Sequence, residues 1–198
     1  MPPSQACPGP AEVGEALARL HLATAGFGGE LGFLSPVRAQ ITDGLAALER
    51  ERVLEPALLA ALRDRHAEVL ADTGGLTGPS LVLHGDAHAG NLLHAAAARP
   101  GAGWLWIDLE ETCRGPREFD LAVLAASQAA NAAEALAAYA GVTGQPTPAP
   151  EALAPFSRAR DLEAAVWILG MAHQYPARYR ERARPLLDRV LRNSPAGR

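Results

Sequence analysis

The sequence contains no lysine, since all 18 of its basic residues are arginine, and it has only two cysteines, Cys7 and Cys113. Two cysteines are too few for a disulfide framework. The net charge of −4 and the isoelectric point near 5.9 give no reason to expect nucleic acid or an anionic membrane as a partner. There is no basic leader followed by an apolar segment, and no apolar run that we expect to span a bilayer. A soluble cytoplasmic protein is therefore expected.

A length of 198 residues suits one domain with a sizeable core. Residues 1–10 are rich in proline and are predicted to form a disordered leader. Apolar residues at helical spacing predict six helices, over 12–24, 37–48, 56–69, 117–139, 151–170 and 176–192. The predicted domain, 11–198, thus has a helical part over 11–75, a central part over 80–125 and a second helical part over 126–198.

The most informative stretch is an apolar run followed by a polar loop, between Leu81 and Leu93. The run Leu81–Leu83 predicts a buried strand that presents the loop at its end. In the loop, His84, Asp86 and Asn91 follow the order H-x-D-x-x-x-x-N, the spacing of catalytic loops in phosphoryl-transfer enzymes of the protein-kinase type. A carboxylate there can accept the proton of a substrate hydroxyl, and an amide oxygen can hold Mg²⁺ beside the phosphates.

A second acidic ligand is expected, because Mg²⁺ takes more oxygen ligands than one asparagine provides. Asp108 meets this need, since it ends a β-prone apolar run from Trp104 to Ile107. That run is predicted to pair with residues 91–94 as a hairpin, across the loop from Ala95 to Gly103. The pairing would bring Asp108 back toward Asn91.

Three motifs of the chain resemble those of the aminoglycoside phosphotransferase and choline-kinase-like family. The family patterns H-G-D-x-H-x-x-N, I-D-x-E and G-P-x-x-x-D-L-A correspond here to residues 84–91, 107–110 and 115–122. Three motifs in this order are far more specific than any one. The resemblance implies an α+β, mostly helical fold, namely the C-terminal lobe of a protein-kinase-like fold with a small β-hairpin at the catalytic site.

The resemblance also implies an ATP- and Mg²⁺-dependent phosphotransferase that acts on a hydroxyl group of a small polar molecule. Asp86 would be the catalytic base, and Asn91 and Asp108 would be the Mg²⁺ ligands. His84 and Asp120 would support the catalytic loop. The side chains expected to contact substrate or phosphate are His88, Glu110 and Arg114.

The absence of lysine bears on how a nucleotide could be held. Complete kinases of this kind use a strand lysine to pair with the ATP phosphates, beneath a flexible loop in an N-terminal lobe. Here that lysine is absent, and the glycine cluster from Gly26 to Gly32 misses G-x-G-x-x-G by one residue. We therefore predict that the N-terminal ATP lobe is missing from this chain. A separate N-lobe or self-association would cover the exposed lobe interface.

Several residues keep a second interpretation at this stage. His84, Asp86 and His88 resemble a metal cluster, but the usual spacing of cysteine or glutamate ligands for Zn²⁺ is absent. The acidic residues and the asparagine of the motifs are also residue types that cap turns. Glu110 is either a contact for a cationic acceptor or part of an acidic edge in solvent. Arg114 either reaches phosphate or stabilises nearby carboxylates.

Three functions are compatible with these motifs. The first is the phosphotransferase described above. The second is a truncated or split kinase C-lobe, which acts as a non-catalytic binding module for metal and acceptor. The third is a metal-dependent hydrolase that uses the same aspartate and histidine groups. Strict dependence on a nucleoside triphosphate separates the first function from the third.

Overall fold

The computed structural model describes residues 7–74, 80–95 and 103–192. The chain divides into two compact units, here called the first unit (Met1–Phe33 and Gly78–Leu153) and the second unit (Leu34–Thr77 and Ala154–Arg198). The described residues are mostly helical with two small antiparallel sheets, which confirms the predicted α+β class. That this is only a C-terminal lobe, and that 11–198 is one domain, stay predictions.

In chain order the helices are α1 (Pro10–Ala23), α2 (Ile41–Arg50), α3 (Pro56–Gly74), α4 (Glu118–Gln128), α5 (Ala132–Thr143), α6 (Pro150–Gln174) and α7 (Pro176–Arg192). A π-helical turn, Pro36–Gln40, precedes α2. Helices were predicted in all of these regions. Helix α1 begins at Pro10, so the predicted leader ends earlier than expected. Residues 1–6 of that leader lie outside the described part of the chain.

The start of α1 is fixed by its sequence. Pro10 occupies the first turn, where its missing N–H would have had no helical partner. The Glu12 carboxylate accepts hydrogen bonds from the Gly9 N–H at 2.7 Å and from the Trp104 indole N–H at 2.9 Å. Both hydrogen bonds lower the pKa of the Glu12 carboxyl, and the bond from Trp104 has the larger effect. Glu12 therefore caps α1 and also ties it to the strand that carries Trp104.

Helices α1 and α5 pack closely in the core of the first unit. Val13 and Leu17 on α1 are fully buried, and Tyr139 on α5 is 1% exposed. The contact needs a glycine, because a Cβ at Gly14 would lie 2.0 Å from the carbonyl oxygen of Ala135. Such a distance is far inside van der Waals contact, so Gly14 allows the two backbones to touch.

Two short strand pairs complete the first unit. Strands β1 (Leu81–Leu83) and β4 (Cys113–Gly115) pair antiparallel, and so do β2 (Leu92–His94) and β3 (Trp104–Trp106). The second pair is the hairpin that the sequence predicts, so that prediction is confirmed. The first pair places β4 beside the strand that leads into the polar loop 84–91. This arrangement positions the candidate site.

The predicted continuous helix over 117–139 is wrong. In the structure α4 and α5 are separated by a 3-10 turn, Ala129–Asn131, and Ala129 has φ +46°, which an α-helix does not accommodate. By length and apolar character alone, the stretch Glu118–Thr143 could cross a membrane, which corrects our expectation that no such run exists. About a third of its 18-residue apolar window is buried within the protein.

The second unit is built from the helices α2, α3 and α7 and from residues 154–174 of α6. Its buried residues lie at helical spacing, as the sequence predicts, and include Ile41, Leu45 and Leu62. The π-helical turn is braced by the buried His66, whose Nε2 lies 2.8 Å from the carbonyl oxygen of Val37.

Candidate active site

The buried carboxylate of Asp120 organises the candidate site. Asp120 lies in the first turn of α4 and has no exposed surface. Its Oδ2 accepts hydrogen bonds from the His84 N–H at 2.7 Å and from His21 Nε2 at 3.0 Å, and its Oδ1 accepts the Gly85 N–H at 2.9 Å. A charged acceptor makes each of these bonds stronger than a neutral one would. Asp120 therefore holds the backbone of the loop just before Asp86.

His84 is also fully buried and links two segments of the site. Its Nδ1 accepts the Asp86 N–H at 3.2 Å, so the ring proton lies on Nε2, which donates to the carbonyl oxygen of Ile107 at 3.0 Å. Its ring also meets Trp106 edge to face, with 4.8 Å between the ring centres. His84 thus fixes the residue before Asp108 relative to the loop that carries Asp86.

Asp86 and Asn91 are joined directly. The Asn91 Nδ2 donates to the Asp86 backbone oxygen at 2.9 Å and to its carboxylate at 3.1 Å. His88 Nε2 lies 3.3 Å from the same carboxylate, and its Nδ1 accepts the Gly90 N–H at 3.0 Å. Because the Asn91 nitrogen is committed to Asp86, its Oδ1 is the atom available to a metal.

The hairpin brings Asp108 next to Asn91 along the backbone. The Ile107 N–H donates to the Asn91 carbonyl oxygen at 2.9 Å, which extends the ladder between β2 and β3 by one step. Asp108 follows at once and is exposed, with the left-handed backbone angles φ 61° and ψ 57°. This conformation costs a non-glycine residue about 1 kcal/mol or more, although aspartate adopts it more readily than most residues do.

Gly85 allows the segment after Asp108 to pack on the loop 84–91. It has φ +89°, and a Cβ at this position would lie 2.2 Å from the carbonyl oxygen of Glu111. The 3-10 turn Leu109–Glu111 therefore touches the loop at Gly85. Glu110, on that turn, is exposed. Both the αL geometry and the close approach favour glycine here.

Arg114 lies against the glycine-rich segment. Its Nη2 donates to the Phe27 carbonyl oxygen at 2.5 Å and lies 3.5 Å from that of Gly29, and its backbone N–H donates to the Gly32 carbonyl at 2.8 Å. The Arg114 guanidinium thus holds this glycine-rich segment, which forms a loop. A phosphate contact by Arg114 stays a prediction.

His21 and Tyr139 complete the support of Asp120, and the sequence analysis assigned a role to neither. His21 Nε2 donates to Asp120, and its Nδ1 lies 2.9 Å from the hydroxyl oxygen of Tyr139, whose ring it meets edge to face. A histidine on the apolar stripe of α1 was the one available signal for this network. Its partners could not be inferred, because they lie 99 and 118 residues further along the chain.

The pKa of Tyr139 is raised to about 12, mainly by burial and in part by the charges of Asp120 and Glu118, while the nearby Arg117 opposes the rise. Since the folded state holds the phenol proton more tightly than the unfolded chain, this stabilisation is complete below about pH 10 and is lost as the pH rises toward 12. We expect the free energy of unfolding to fall by on the order of 2 kcal/mol over this range.

Denaturant unfolding at a series of pH values tests this expectation. Tyr139→Phe should remove most of the decline, whereas Tyr175→Phe, at a position 56% exposed, should retain it. An equal decline in the Tyr139→Phe protein would show that other groups cause it.

The ligands offered by the site suit Mg²⁺. Among the residues that the structure describes, no cluster of three or more histidine, cysteine, aspartate or glutamate side chains could hold a metal ion. The motif residues Asn91 and Asp108 each carry a side-chain oxygen that could serve as a ligand. Mg²⁺ is usually held by one or two protein ligands, with phosphate oxygens and water completing its shell, so this small donor set fits it.

Residues 10–156 match the model of a family described as the phosphotransferase enzyme family. No curated protein sequence matches the chain with significance. The match includes all the residues of the candidate site described above.

Solved structures of small-molecule kinases share this fold. A choline/ethanolamine kinase family protein from Mesorhizobium loti matches with 23% identity and a TM-score of 0.67, over 94% of this chain and 63% of the other. An amicoumacin kinase, solved with AMP-PNP, Ca²⁺ and Ami, matches with 12% identity and a TM-score of 0.70. The match covers 98% of this chain and 64% of the kinase. A macrolide 2′-phosphotransferase from Brachybacterium faecium matches with 27% identity and a TM-score of 0.53, over 96% and 62%. The present chain thus spans a little under two thirds of the length of each of these proteins.

Proposed function

Since this chain belongs to the phosphotransferase enzyme family, we propose that it transfers the γ-phosphoryl group of ATP to a hydroxyl group of a small polar molecule. The observation that supports this most is the joined placement of the motif residues in the first unit. Asp86 is bonded to Asn91, and Asn91 is bonded through its backbone to the residue before Asp108.

Asp86 would accept the proton of the acceptor hydroxyl and orient its oxygen toward the γ-phosphorus. That oxygen forms the new P–O bond while the bond to the bridging oxygen of ADP breaks, and ADP leaves. Catalysis of this kind depends mainly on positioning and on stabilising charge. The buried network of His84, Asp120, His21 and Tyr139 would supply the rigid support that positions Asp86.

Asn91 Oδ1 and the Asp108 carboxylate would hold Mg²⁺. Such an ion, when bound, neutralises charge on the phosphate oxygens. The left-handed backbone of Asp108 and the hydrogen bond from Ile107 together determine where the Asp108 side chain leaves the backbone relative to Asn91. Glu110 is exposed on the following turn and would face a cationic acceptor.

We further propose that the phosphates of ATP need contacts from outside the described residues. The chain has no lysine, and the guanidinium of Arg114 is bonded to main-chain carbonyls. An N-lobe, on this chain or on a separate one, would supply them. Leu93 and Leu105, directly opposite each other in the hairpin, are about half exposed and offer an apolar face to such a partner.

The same exposed face favours a second candidate function. A C-lobe without its ATP-binding partner would act as a binding module that holds metal and acceptor without turnover. A hydrolase that uses Asp86 is the third candidate. The three differ in what they do to ATP and to a hydroxyl compound supplied together.

We expect the chain, with Mg²⁺ and ATP, to convert a hydroxyl compound into its phosphate ester and to release ADP in equal amount. ³¹P NMR of reactions with an amino sugar and with an amino alcohol measures both products. ADP and inorganic phosphate without ester would indicate a hydrolase. Intact ATP, both in the chain alone and after an N-lobe from a relative is added, would contradict the phosphotransferase assignment.

A further inference from the structure

Helix α7 concentrates positive charge in a protein that is acidic overall. It carries six arginines against one glutamate and one aspartate, which gives it a net charge of +4. Because the whole chain carries −4, the remaining residues together carry −8. Such an asymmetry of charge within one chain is a sign of a polyanionic partner. The net charge of the chain, which gave no reason to expect such a partner, conceals this asymmetry.

The arginines of α7 lie on the surface of the second unit, and all six are exposed. Arg189 and Arg192 lie 3.1 and 4.0 Å from aspartates. Three others form no hydrogen bond or ion pair within the described part of the chain, namely Arg180, Arg182 and Arg184. These three guanidinium groups are therefore open to a partner from solution.

The placement of these charges is unfavourable in the free protein. No acidic residue occupies the first turn of α7, where Arg178 lies at the positive end of the helix dipole. Arg178 and Arg182 are four residues apart, and so are Arg180 and Arg184. Each pair therefore places two like charges next to each other on the helix surface. A row of phosphate groups along this surface would relieve both effects.

The exposed side of α7 suits a nucleic acid better than a membrane. A helix that binds a membrane surface inserts an apolar face into the bilayer. In α7 the residues Tyr179, Ala183 and Val190 are buried within the protein, and none of its large apolar side chains is exposed. The helix is about 26 Å long, so it can follow several phosphates of one strand. Tyr175, directly before α7, is 56% exposed, and bases of single strands stack on such rings.

We propose that the exposed side of α7 binds single-stranded nucleic acid. The arginines contact the phosphates of the strand, and the ring of Tyr175 stacks on a base. This surface shares no residue with the candidate active site. Binding to it needs neither ATP nor metal, so its test does not depend on whether the chain transfers a phosphoryl group.

Fluorescence anisotropy tests the proposal, with a labelled oligodeoxythymidine strand titrated with the full chain in the absence of ATP. We expect a Kd of about 1–100 μM in ~0.1 M salt, the range of contacts that do not depend on sequence. The logarithm of the binding constant should fall with the logarithm of the salt concentration, with a slope of about −2 to −4. Tyr175→Ala should weaken binding of the single strand by at least about fivefold and leave binding of a duplex unchanged.

Replacing the three unpaired arginines together, as Arg180→Gln, Arg182→Gln and Arg184→Gln, should weaken binding by about tenfold or more. The slope should become less steep by about 2, because each lost phosphate contact removes about 0.7. Glutamine favours a helix about as well as arginine does, so α7 should remain folded. The matched control replaces three exposed arginines on α1, α2 and α3, and should bind as the wild type does: Arg19→Gln, Arg50→Gln and Arg63→Gln.

The proposal would be overturned if the strand did not bind, or if both triple variants weakened binding equally, since the second result is a response to net charge alone. Binding to vesicles of equimolar phosphatidylglycerol and phosphatidylcholine, but not to the strand, would assign the surface to a membrane instead. Sedimentation tests a second copy of the chain as the partner. Self-association that the α7 triple variant loses, with binding of the strand unchanged, would assign the surface to that copy and overturn the proposal.

Discussion

Asp86→Asn is expected to lower the rate of phosphoryl transfer by about 10²- to 10⁴-fold, the usual contribution of a positioned general base. The amide has nearly the shape of the carboxylate but cannot accept the hydroxyl proton. The change should leave KM for ATP nearly unaltered, because Asp86 is proposed to contact the acceptor. Initial rates of ester formation, measured at saturating Mg²⁺ and ATP, check this expectation.

The matched control is Asp64→Asn, the same substitution at an exposed aspartate on α3 in the second unit. It should change neither the rate nor the stability by a measurable amount. The Asp86→Asn protein should also unfold at the wild-type denaturant midpoint, since the Asn91 bond to the Asp86 backbone oxygen is retained. A folded Asp86→Asn protein with the wild-type rate would remove Asp86 from the mechanism.

Asp120→Asn is expected to destabilise the protein by about 3 kcal/mol or more, because a buried charged acceptor of three hydrogen bonds is lost. The asparagine NH₂ would face N–H donors of His84, Gly85 or His21, and at least one of them would lose its partner. Urea denaturation monitored by tryptophan fluorescence measures the change. Where the variant remains folded, kcat should fall more than KM rises, because the loop that carries Asp86 loosens.

Asp72→Asn provides the comparison for a surface ion pair. Asp72 lies 2.7 Å from Arg158 but is 43% exposed, so its loss should cost less than about 1 kcal/mol. Equal destabilisation by the two substitutions would mean that the buried network around Asp120 contributes no more than an exposed salt bridge. That result would contradict the proposed support of the catalytic loop.

Local patterns predicted much of the fold. The β2–β3 hairpin could be predicted because apolar residues before a glycine-containing loop are followed, after it, by a β-prone apolar and aromatic run. The break at Ala129 could not, because neither glycine nor proline marks it and alanine favours a continuous helix. Strand β4, with the sequence Cys113-Arg114-Gly115, has no alternating pattern. These residues form a strand because they pair with β1, and that pairing is a tertiary contact.

The candidate site was predictable only in part. The spacing of His84, Asp86 and Asn91 within one loop is local, so the sequence displays it. The approach of Asp108 to Asn91 could also be predicted, because the predicted hairpin places them together. The bonds from His21 and Tyr139 join three segments far apart in the chain, and nothing in the sequence pairs them. The left-handed backbone of Asp108 was equally hidden, because aspartate also adopts the common backbone conformations.

If this chain carries a phosphoryl-transfer site, Asn91 and Asp108 should together hold its metal. The most direct measurement is a crystal structure of the chain with Mn²⁺ and a non-hydrolysable ATP analogue, in which anomalous scattering locates the ion. We predict an anomalous peak about 2.1 Å from both Asn91 Oδ1 and an Asp108 carboxylate oxygen. A peak bound by other side chains, with Asn91 and Asp108 turned apart, would show that these two residues do not form the metal site.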